Sequence, residues 1–175
     1  MVSNTVYESG MNFKVENQDC FFYIEKSKTY QKIQDDIKIA EFLYLRFPKG
    51  KGVINIIEAK TSTPHVRNEN RFNEYIDEVT QKFVNTFFIY IASILGKHKL
   101  AVIEMPKELL TSDLSKIDFS FVLVIKTADK AWLPAIKDAI NKQMRIFINN
   151  KIWVISSNPV IVLNAELAMQ KGIIN

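Results

Sequence analysis

Hydrophobic and polar residues alternate along the N-terminal third of the chain, and a period of two is typical of β-strands. We expect one strand at residues 11–15 and a second at residues 21–25. The polar residues 17–19 between them favour a turn. The beginning of the chain is therefore predicted to be extended rather than helical.

A second pair of apolar segments predicts an antiparallel hairpin. Residues 37–47 are rich in Ile, Leu, Phe and Tyr, and residues 53–61 begin with a nearly continuous apolar stretch. Between them, residues 48–52 combine one proline with two glycines, which are residues that tight turns favour. A connection this short places the two strands side by side.

The middle of the chain changes to helical periodicity. After a break at residues 62–64, Asn68 or Asn70 can cap a helix and Gly96 can end it. Apolar residues recur between these points, mostly at spacings of three and four: Phe72, Tyr75, Ile76, Val79, Phe83, Phe87, Tyr90, Ile91 and Ile94. The second half of this helix is apolar on almost every side, so we expect it to be deeply buried.

The C-terminal part alternates between strands and helices. We expect a buried strand at residues 119–125 and a helix at 131–149. Two shorter strands are expected at 152–155 and 160–163, and a last helix at 165–171. Together with the hairpin, this order predicts that the 175 residues form one α/β (α+β) domain, with a mixed central β-sheet flanked by helices.

Composition narrows the class of protein. Apolar residues make up 47% and charged residues 24%, which excludes intrinsic disorder. The 23 Lys and Arg residues exceed the 19 Asp and Glu residues, and the net charge of +4 permits nucleic-acid binding without requiring it. The single cysteine, Cys20, excludes an internal disulfide, so a cytoplasmic location is expected. The most apolar stretch, residues 83–95, is too short to span a bilayer, and no membrane association is expected.

The segment Glu58-Ala59-Lys60 concentrates candidate chemistry at the end of a predicted strand. Residues two apart in a strand project from the same face, so Glu58 and Lys60 point together. On the preceding strand, Glu41 interrupts an apolar run, and a carboxylate there is costly unless it is exposed, paired or bound to a metal. The hairpin is expected to bring Glu41 next to Glu58. Two carboxylates and a lysine suit a hard divalent cation and a phosphate.

The same residues also have a simpler interpretation. Triplets of the form acid-x-Lys are expected about twice by chance in a chain with this composition, and residues 36–38 are a second instance. Glu58 and Lys60 can therefore be an ordinary ion pair at a strand end. The hairpin, the buried strand and the long helix that follows favour the functional interpretation.

This arrangement resembles the core of the PD-(D/E)xK nuclease superfamily, which has the restriction-endonuclease-like fold. In that family an acid on one hairpin strand joins an acid-x-Lys segment on the next, and helix, strand and helix follow. The resemblance implies that Glu41 and Glu58 are catalytic acids and ligands of Mg²⁺ or Mn²⁺, with Lys60 as the catalytic lysine. It also implies that the backbone carbonyl of Ala59 is a metal ligand. The chain departs from the pattern because its upstream acid is Glu rather than Asp, and because no helix is predicted before the hairpin.

Three further residues are accessory candidates for the same site. Some members of the superfamily place a helix Gln beside the metal, which makes Gln81 a candidate, although a solvated helix face is the favoured explanation. Ser62 continues the face of Glu58 and Lys60 if the strand persists. Glu25 lies in the predicted second strand and offers another acid, with surface exposure as the alternative.

The resemblance implies a magnesium-dependent nuclease that hydrolyses phosphodiester bonds, with DNA favoured over RNA. The alternatives are a catalytically inactive protein of the same fold that binds nucleic acid or serves in assembly, and an unrelated α/β interaction protein. The apolar helix and the hairpin favour a homodimer. Since the chain is little more than a catalytic core, a protein partner is expected to supply specificity.

Overall fold

A five-stranded mixed sheet lies at the centre of the structure. The computed structural model describes residues 4–98, 103–148 and 158–175. The strands in these residues are β1 (Asn4–Glu8), β2 (Met11–Val15), β3 (Phe21–Phe22), β4 (Phe42–Arg46), β5 (Val53–Lys60), β6 (Asp118–Ile125) and β7 (Val160–Asn164). The α-helices are α1 (Lys28–Gln31), α2 (Glu69–Ile94), α3 (Lys107–Leu110), α4 (Leu133–Ile148) and α5 (Ala165–Gln170). The central sheet has the order β3-β4-β5-β6-β7, which confirms the predicted α/β class.

The predicted hairpin is formed by β4 and β5, which pair antiparallel from Phe42 opposite Ile57 to Arg46 opposite Val53. Strand β5 also pairs with β6, and there the strands are parallel. Parallel neighbours need a long connection, and α2 is part of it. The sheet is therefore antiparallel on one side of β5 and parallel on the other.

Helix α2 matches the sequence prediction closely. The side chain of Asn68 caps its start by accepting a hydrogen bond from the backbone N–H of Arg71. Gly96 follows its end with φ of +67°, a conformation that glycine adopts without strain. The rings of Phe83 and Phe87 pack against Phe121 of β6, so the apolar face of the helix covers the sheet.

The N-terminal strands differ in part from the prediction. Strand β2 is confirmed, and it pairs with β1, a strand that the pattern did not reveal. Ser9 and Gly10 connect them with φ values of 50° and 76°, as expected for a two-residue hairpin turn. The strand predicted at residues 21–25 is wrong beyond Phe22, because the chain turns into a 3₁₀ helix at Ile24–Lys26.

The strand predicted at residues 37–47 is also shorter, since β4 begins only at Phe42. Part of the preceding backbone is bonded to α2 instead of to a neighbouring strand. Thr86 Oγ1 accepts the N–H of Ala40 at 2.7 Å, and Asn85 donates its side-chain amide to the carbonyl of Lys38 at 2.8 Å. Side chains of α2 thus satisfy backbone groups that a longer strand would have paired in the sheet.

The C-terminal prediction is largely confirmed. Strands β6 and β7 and helix α5 lie within one residue of the predicted bounds. The helix predicted at residues 131–149 is α4, preceded by a 3₁₀ turn at Lys130–Trp132. The strand predicted at 152–155 lies outside the described residues. None of the helices in the described parts of the chain combines the length and apolar character needed to cross a bilayer.

Candidate functional site

Glu41 and Glu58 lie near each other at the end of the hairpin that is remote from its turn. The N–H of Glu41 donates to the carbonyl of Ile57 at 3.1 Å, so the residue directly before β4 remains bonded to β5. Because side chains alternate along a strand, Glu41 and Glu58 share the sheet face that α2 covers. Both carboxylates are consequently buried, with Glu41 5% exposed and Glu58 fully enclosed.

Helix α2 supplies an ammonium group to these carboxylates. Lys82 Nζ lies 2.8 Å from Glu58 Oε1 and 3.8 Å from Glu41 Oε1. The hydrogen bond between Thr86, one turn further along α2, and Ala40 fixes the chain immediately before Glu41. The same helix therefore positions the backbone that carries one acid and neutralises the other.

The third predicted residue, Lys60, also joins the site. Lys60 Nζ lies 3.3 Å from Glu58 Oε1 and 2.7 Å from Glu78 Oε1. Glu78 belongs to α2, and its second oxygen lies 3.9 Å from Lys38 Nζ. Glu58 and Glu78 are called the lysine-paired carboxylates below, because each accepts a short hydrogen bond from a lysine.

A second group of acids adjoins this pair. One carboxylate oxygen from each of Glu8, Glu25 and Glu41 lies within 4.8 Å of the others. These residues are called the carboxylate triad. The accessory candidate Glu25 is thus at the site, carried by the 3₁₀ helix instead of the predicted strand. Within the described residues, this is the one group of three or more His, Cys, Asp or Glu side chains close enough to share an ion.

Glu8 reaches the triad from the end of β1. The hydroxyl of Tyr23 donates to Glu8 Oε2, and the N–H of Ser9 donates to Glu8 Oε1 at 2.9 Å. Lys26 lies 3.7 Å from Glu8 Oε2. Although burial opposes the effect, the hydrogen bonds from Tyr23 and Ser9 and the charge of Lys26 lower the pKa of Glu8 below its usual value. Glu8 is therefore ionised at neutral pH.

The same hairpin contacts the backbone group that the resemblance implies as a ligand. The hydroxyl of Ser9 donates to the carbonyl of Ala59 at 3.0 Å. This hydrogen bond connects the turn of the N-terminal hairpin to the end of β5. A carbonyl oxygen has two lone pairs, so one remains after the Ser9 contact.

Burial dominates the electrostatics of the two central acids. It raises the pKa of Glu41 to about 10, and a hydrogen bond with the Glu25 carboxyl group and the charges of Glu58 and Glu25 act in the same direction. Burial also raises the pKa of Glu58, against the opposing effect of Lys82 and Lys60. The Oε2 atoms of Glu41 and Glu58 are buried and have no hydrogen-bond partner among the described residues. A cation that binds these oxygens must displace the proton that Glu41 holds at neutral pH.

Two accessory candidates, Gln81 and Ser62, lie away from the acids of the site. Gln81 is exposed on α2, and Ser62 is exposed beyond the end of β5. Within the described residues, neither side chain forms an ion pair or hydrogen bond with the acids of the site. The neighbour of Gln81, Lys82, occupies the position beside the carboxylates instead.

Sequence reasoning missed Lys82, Glu78 and Glu8. Lys82 had a detectable signal, because it lies three residues after Val79 on the buried face of α2, where a charge needs a partner. Glu78 and Lys82 also have the four-residue spacing of a helix-surface pair, which is ordinarily solvent-exposed. Glu8 had no signal in the pattern, since only the folded hairpin brings it to Glu25 and Glu41.

The site is made of oxygen and ammonium groups, a set that favours hard divalent cations and phosphates over soft metals. No protein-family model, curated protein or solved structure matches the chain. The sheet and its acidic site are therefore the only indications of the class of protein.

Proposed function

We propose that this chain is a divalent-cation-dependent nuclease of the PD-(D/E)xK type, with a restriction-endonuclease-like core. The observation that supports this most is the shared contact of the buried Glu41 and Glu58 carboxylates with Lys82 Nζ, at 3.8 and 2.8 Å, with Lys60 Nζ 3.3 Å from Glu58. Buried acids on adjacent strands that each keep a free oxygen are costly for folding alone. A cation bound between them offsets that cost.

The donor atoms fit Mg²⁺ or Mn²⁺. Glu41 Oε2, Glu58 Oε2 and the second lone pair of the Ala59 carbonyl are the ligands that the proposal assigns. All three are hard oxygen donors, which these ions prefer. When bound, such an ion polarises a phosphoryl oxygen and lowers the pKa of a bound water.

The lysines have different parts in this proposal. Lys60 is 24% exposed at its side chain, so it can contact a phosphate of the substrate and stabilise negative charge that develops there. Glu78 accepts a hydrogen bond from Lys60 at 2.7 Å and holds the ammonium beside Glu58. Lys82 is 10% exposed and acts as a positioning residue, because it neutralises and orients Glu58.

The proposed substrate is a polynucleotide, with DNA favoured over RNA. A partner protein that supplies specificity and a homodimer are further parts of the proposal. Sedimentation of the purified chain at micromolar concentration tests the dimer, and a monomeric mass contradicts it.

A catalytically inactive module that binds nucleic acid or serves in assembly is the second candidate. Two contacts favour it. The Ser9 hydroxyl occupies one lone pair of the Ala59 carbonyl, and Lys82 already places a positive charge 2.8 Å from Glu58. Both contacts reduce what a metal gains at Glu58 and Ala59.

Cleavage assays with variants test the proposal. Single- and double-stranded DNA and RNA are incubated with the protein and Mg²⁺ or Mn²⁺. Lys60→Ala and Glu58→Gln are each expected to slow cleavage by about 100-fold or more, because each removes charge that acts on the reacting phosphate or its cation. Glu74→Gln and Lys142→Ala change exposed residues of α2 and α4 and are expected to retain the wild-type rate.

Thermal unfolding of each variant separates lost chemistry from lost folding. Wild-type protein that cleaves none of these substrates, yet binds one of them, supports the inactive module. Cleavage at the wild-type rate by both Lys60→Ala and Glu58→Gln contradicts the assigned roles.

A further inference from the structure

We propose that the carboxylate triad is a separate site for a divalent cation, in which the N-terminal hairpin supplies Glu8 as a ligand. The inference goes beyond the proposed hydrolysis and shares only Glu41 with it. It therefore holds or fails on cation binding, whether or not the chain cleaves nucleic acid.

The spacing of the three acids suits one ion. Their nearest carboxylate oxygens lie within 4.8 Å of one another. Oxygens on opposite sides of an Mg²⁺ ion are about 4.2 Å apart when each bond is about 2.1 Å long. Small side-chain movements are enough to bring the three oxygens onto one ion.

The distribution of lysines distinguishes the triad from the neighbouring acids. Glu58 and Glu78 each have an ammonium within hydrogen-bond distance, at 2.8 and 2.7 Å. The lysines that pair with the triad are further away. Lys26 lies 3.7 Å from Glu8, and Lys82 lies 3.8 Å from Glu41 and 3.9 Å from Glu25. Among the described residues, no lysine forms a hydrogen bond with a triad carboxylate, so the triad lacks the close ammonium groups of the lysine-paired carboxylates.

An unpartnered atom of Glu41, the residue that the two proposed sites share, gives further support. Glu41 is 5% exposed, and its Oε2 atom is buried without a hydrogen-bond partner in the described part of the chain. Most buried polar atoms in proteins have such a partner, and an exception needs an explanation. A cation held by the triad supplies it.

Glu8 is oriented by neighbours as metal ligands commonly are. The Tyr23 hydroxyl and the Ser9 N–H each donate to one of its oxygens. Hydrogen bonds of this kind fix the direction of a ligating carboxylate, and each oxygen keeps a further lone pair for the metal. Three carboxylates without His or Cys favour Mg²⁺ or Mn²⁺ over Zn²⁺.

Titration with Mn²⁺ alone tests the site, because the electron paramagnetic resonance signal of free Mn²⁺ reports how much is bound. Glu8→Gln and Glu25→Gln are each expected to weaken Mn²⁺ binding about tenfold or more, since each removes a charged ligand. Glu16→Gln is the matched control, because Glu16 is an exposed acid that directly follows β2 and pairs with Lys14.

The outcomes are distinct. Loss of affinity in the Glu8 and Glu25 variants, with retention in the Glu16 variant, supports the site. Wild-type protein that binds no Mn²⁺ at millimolar concentration overturns it, and so does unchanged affinity in both triad variants. Thermal unfolding identifies a variant that fails to fold, and the less buried Glu25 then provides the decisive substitution.

Glu58→Gln separates this inference from the proposed function. It is expected to retain Mn²⁺ binding at the triad while cleavage is lost. If Glu58→Gln abolishes all Mn²⁺ binding and Glu8→Gln has no effect, the triad site is refuted and the nuclease proposal stands. If the triad variants weaken Mn²⁺ binding but the wild type cleaves nothing, the nuclease proposal fails and the cation site stands.

Discussion

The carboxylate triad and the lysine-paired carboxylates adjoin each other at one end of the sheet, but their charges are offset in different ways. Glu58 and Glu78 accept short hydrogen bonds from Lys82 and Lys60. Ammonium groups lie no closer than 3.7 Å to the triad among the described ion pairs. One half of the site thus contains its own close counter-charges, and the other half is the group that we propose binds a cation.

The two groups of acids show two ways in which buried negative charge is offset within one acidic cluster. A buried carboxylate paired with lysine resists competition from added cations, because its partner is covalently attached to the chain. Burial raises the pKa of both Glu41 and Glu58, but hydrogen bonds from Lys82 and Lys60 oppose the rise at Glu58, whereas the Glu25 and Glu58 carboxyl groups add to it at Glu41. Each half therefore predicts its own response to substitution and to pH.

The largest loss of unfolding free energy from a single substitution at neutral pH is expected from Lys82→Met. Removal of the ammonium leaves Glu58, which is fully enclosed, with only the longer contact to Lys60. Removing one partner of a buried ion pair lowers the unfolding free energy by about 3–5 kcal/mol, because the other charge is left buried and unpaired. Denaturant unfolding at neutral pH measures it, and the double variant Lys82→Met/Glu58→Gln is expected to recover most of the loss.

Lys26→Met is the matched substitution on the triad side. The Lys26 side chain is 62% exposed and lies 3.7 Å from Glu8 Oε2, so its loss is expected to cost less than about 1 kcal/mol. Equal destabilisation by the Lys26 and Lys82 substitutions would show that the two halves do not differ in charge compensation.

An effect that depends on pH is expected from Glu41. Its pKa is about 10 in the folded chain, against an ordinary value of 4.5, so the folded state binds more protons than the unfolded state between these values. The unfolding free energy of the metal-free protein therefore falls as pH rises through this interval, by up to about 1.4 kcal/mol per pH unit.

Chemical unfolding in a chelating buffer at several pH values between 5 and 9 measures this slope. Glu41→Gln is expected to flatten it, since the neutral amide does not titrate. Saturating Mn²⁺ is also expected to flatten it. A slope that is the same in the wild type and in Glu41→Gln excludes Glu41 as the group responsible.

A modest effect is expected from Tyr23→Phe, which removes the hydroxyl that donates to Glu8. We expect a loss of about 1 kcal/mol in unfolding free energy and of about tenfold in Mn²⁺ affinity. Tyr7→Phe is the control, because Tyr7 lies in the same hairpin as Glu8 and is 68% exposed. An unchanged Mn²⁺ affinity in Tyr23→Phe would mean that the hydroxyl does not orient a ligand.

Several elements of the fold were predictable from the chain alone. Helix α2 was predicted from its spacing of apolar residues, its Asn68 cap and its terminal Gly96, all of which act within a few residues. The β4–β5 hairpin followed from two apolar segments joined by a short turn. Predictions failed where distant groups decide the backbone, as at residues 37–41, which α2 binds through Thr86 and Asn85.

The same distinction between local and distant contacts applies to the residues of the candidate site. Glu41, Glu58 and Lys60 could be named because hairpin register and strand alternation bring them to one face. Glu8 and Lys82 could not be placed, because their neighbours in the site lie far from them along the chain.

The sequence by itself determined the identity and order of most elements, since periodicity, caps and turns act over short stretches of chain. Only the tertiary structure decided which acids share a lysine and which form a triad. The reason is physical: ionic contacts depend on distances of a few ångströms between side chains from different elements. Those distances are set by how α2 and the N-terminal hairpin pack around the end of the β4–β5 hairpin.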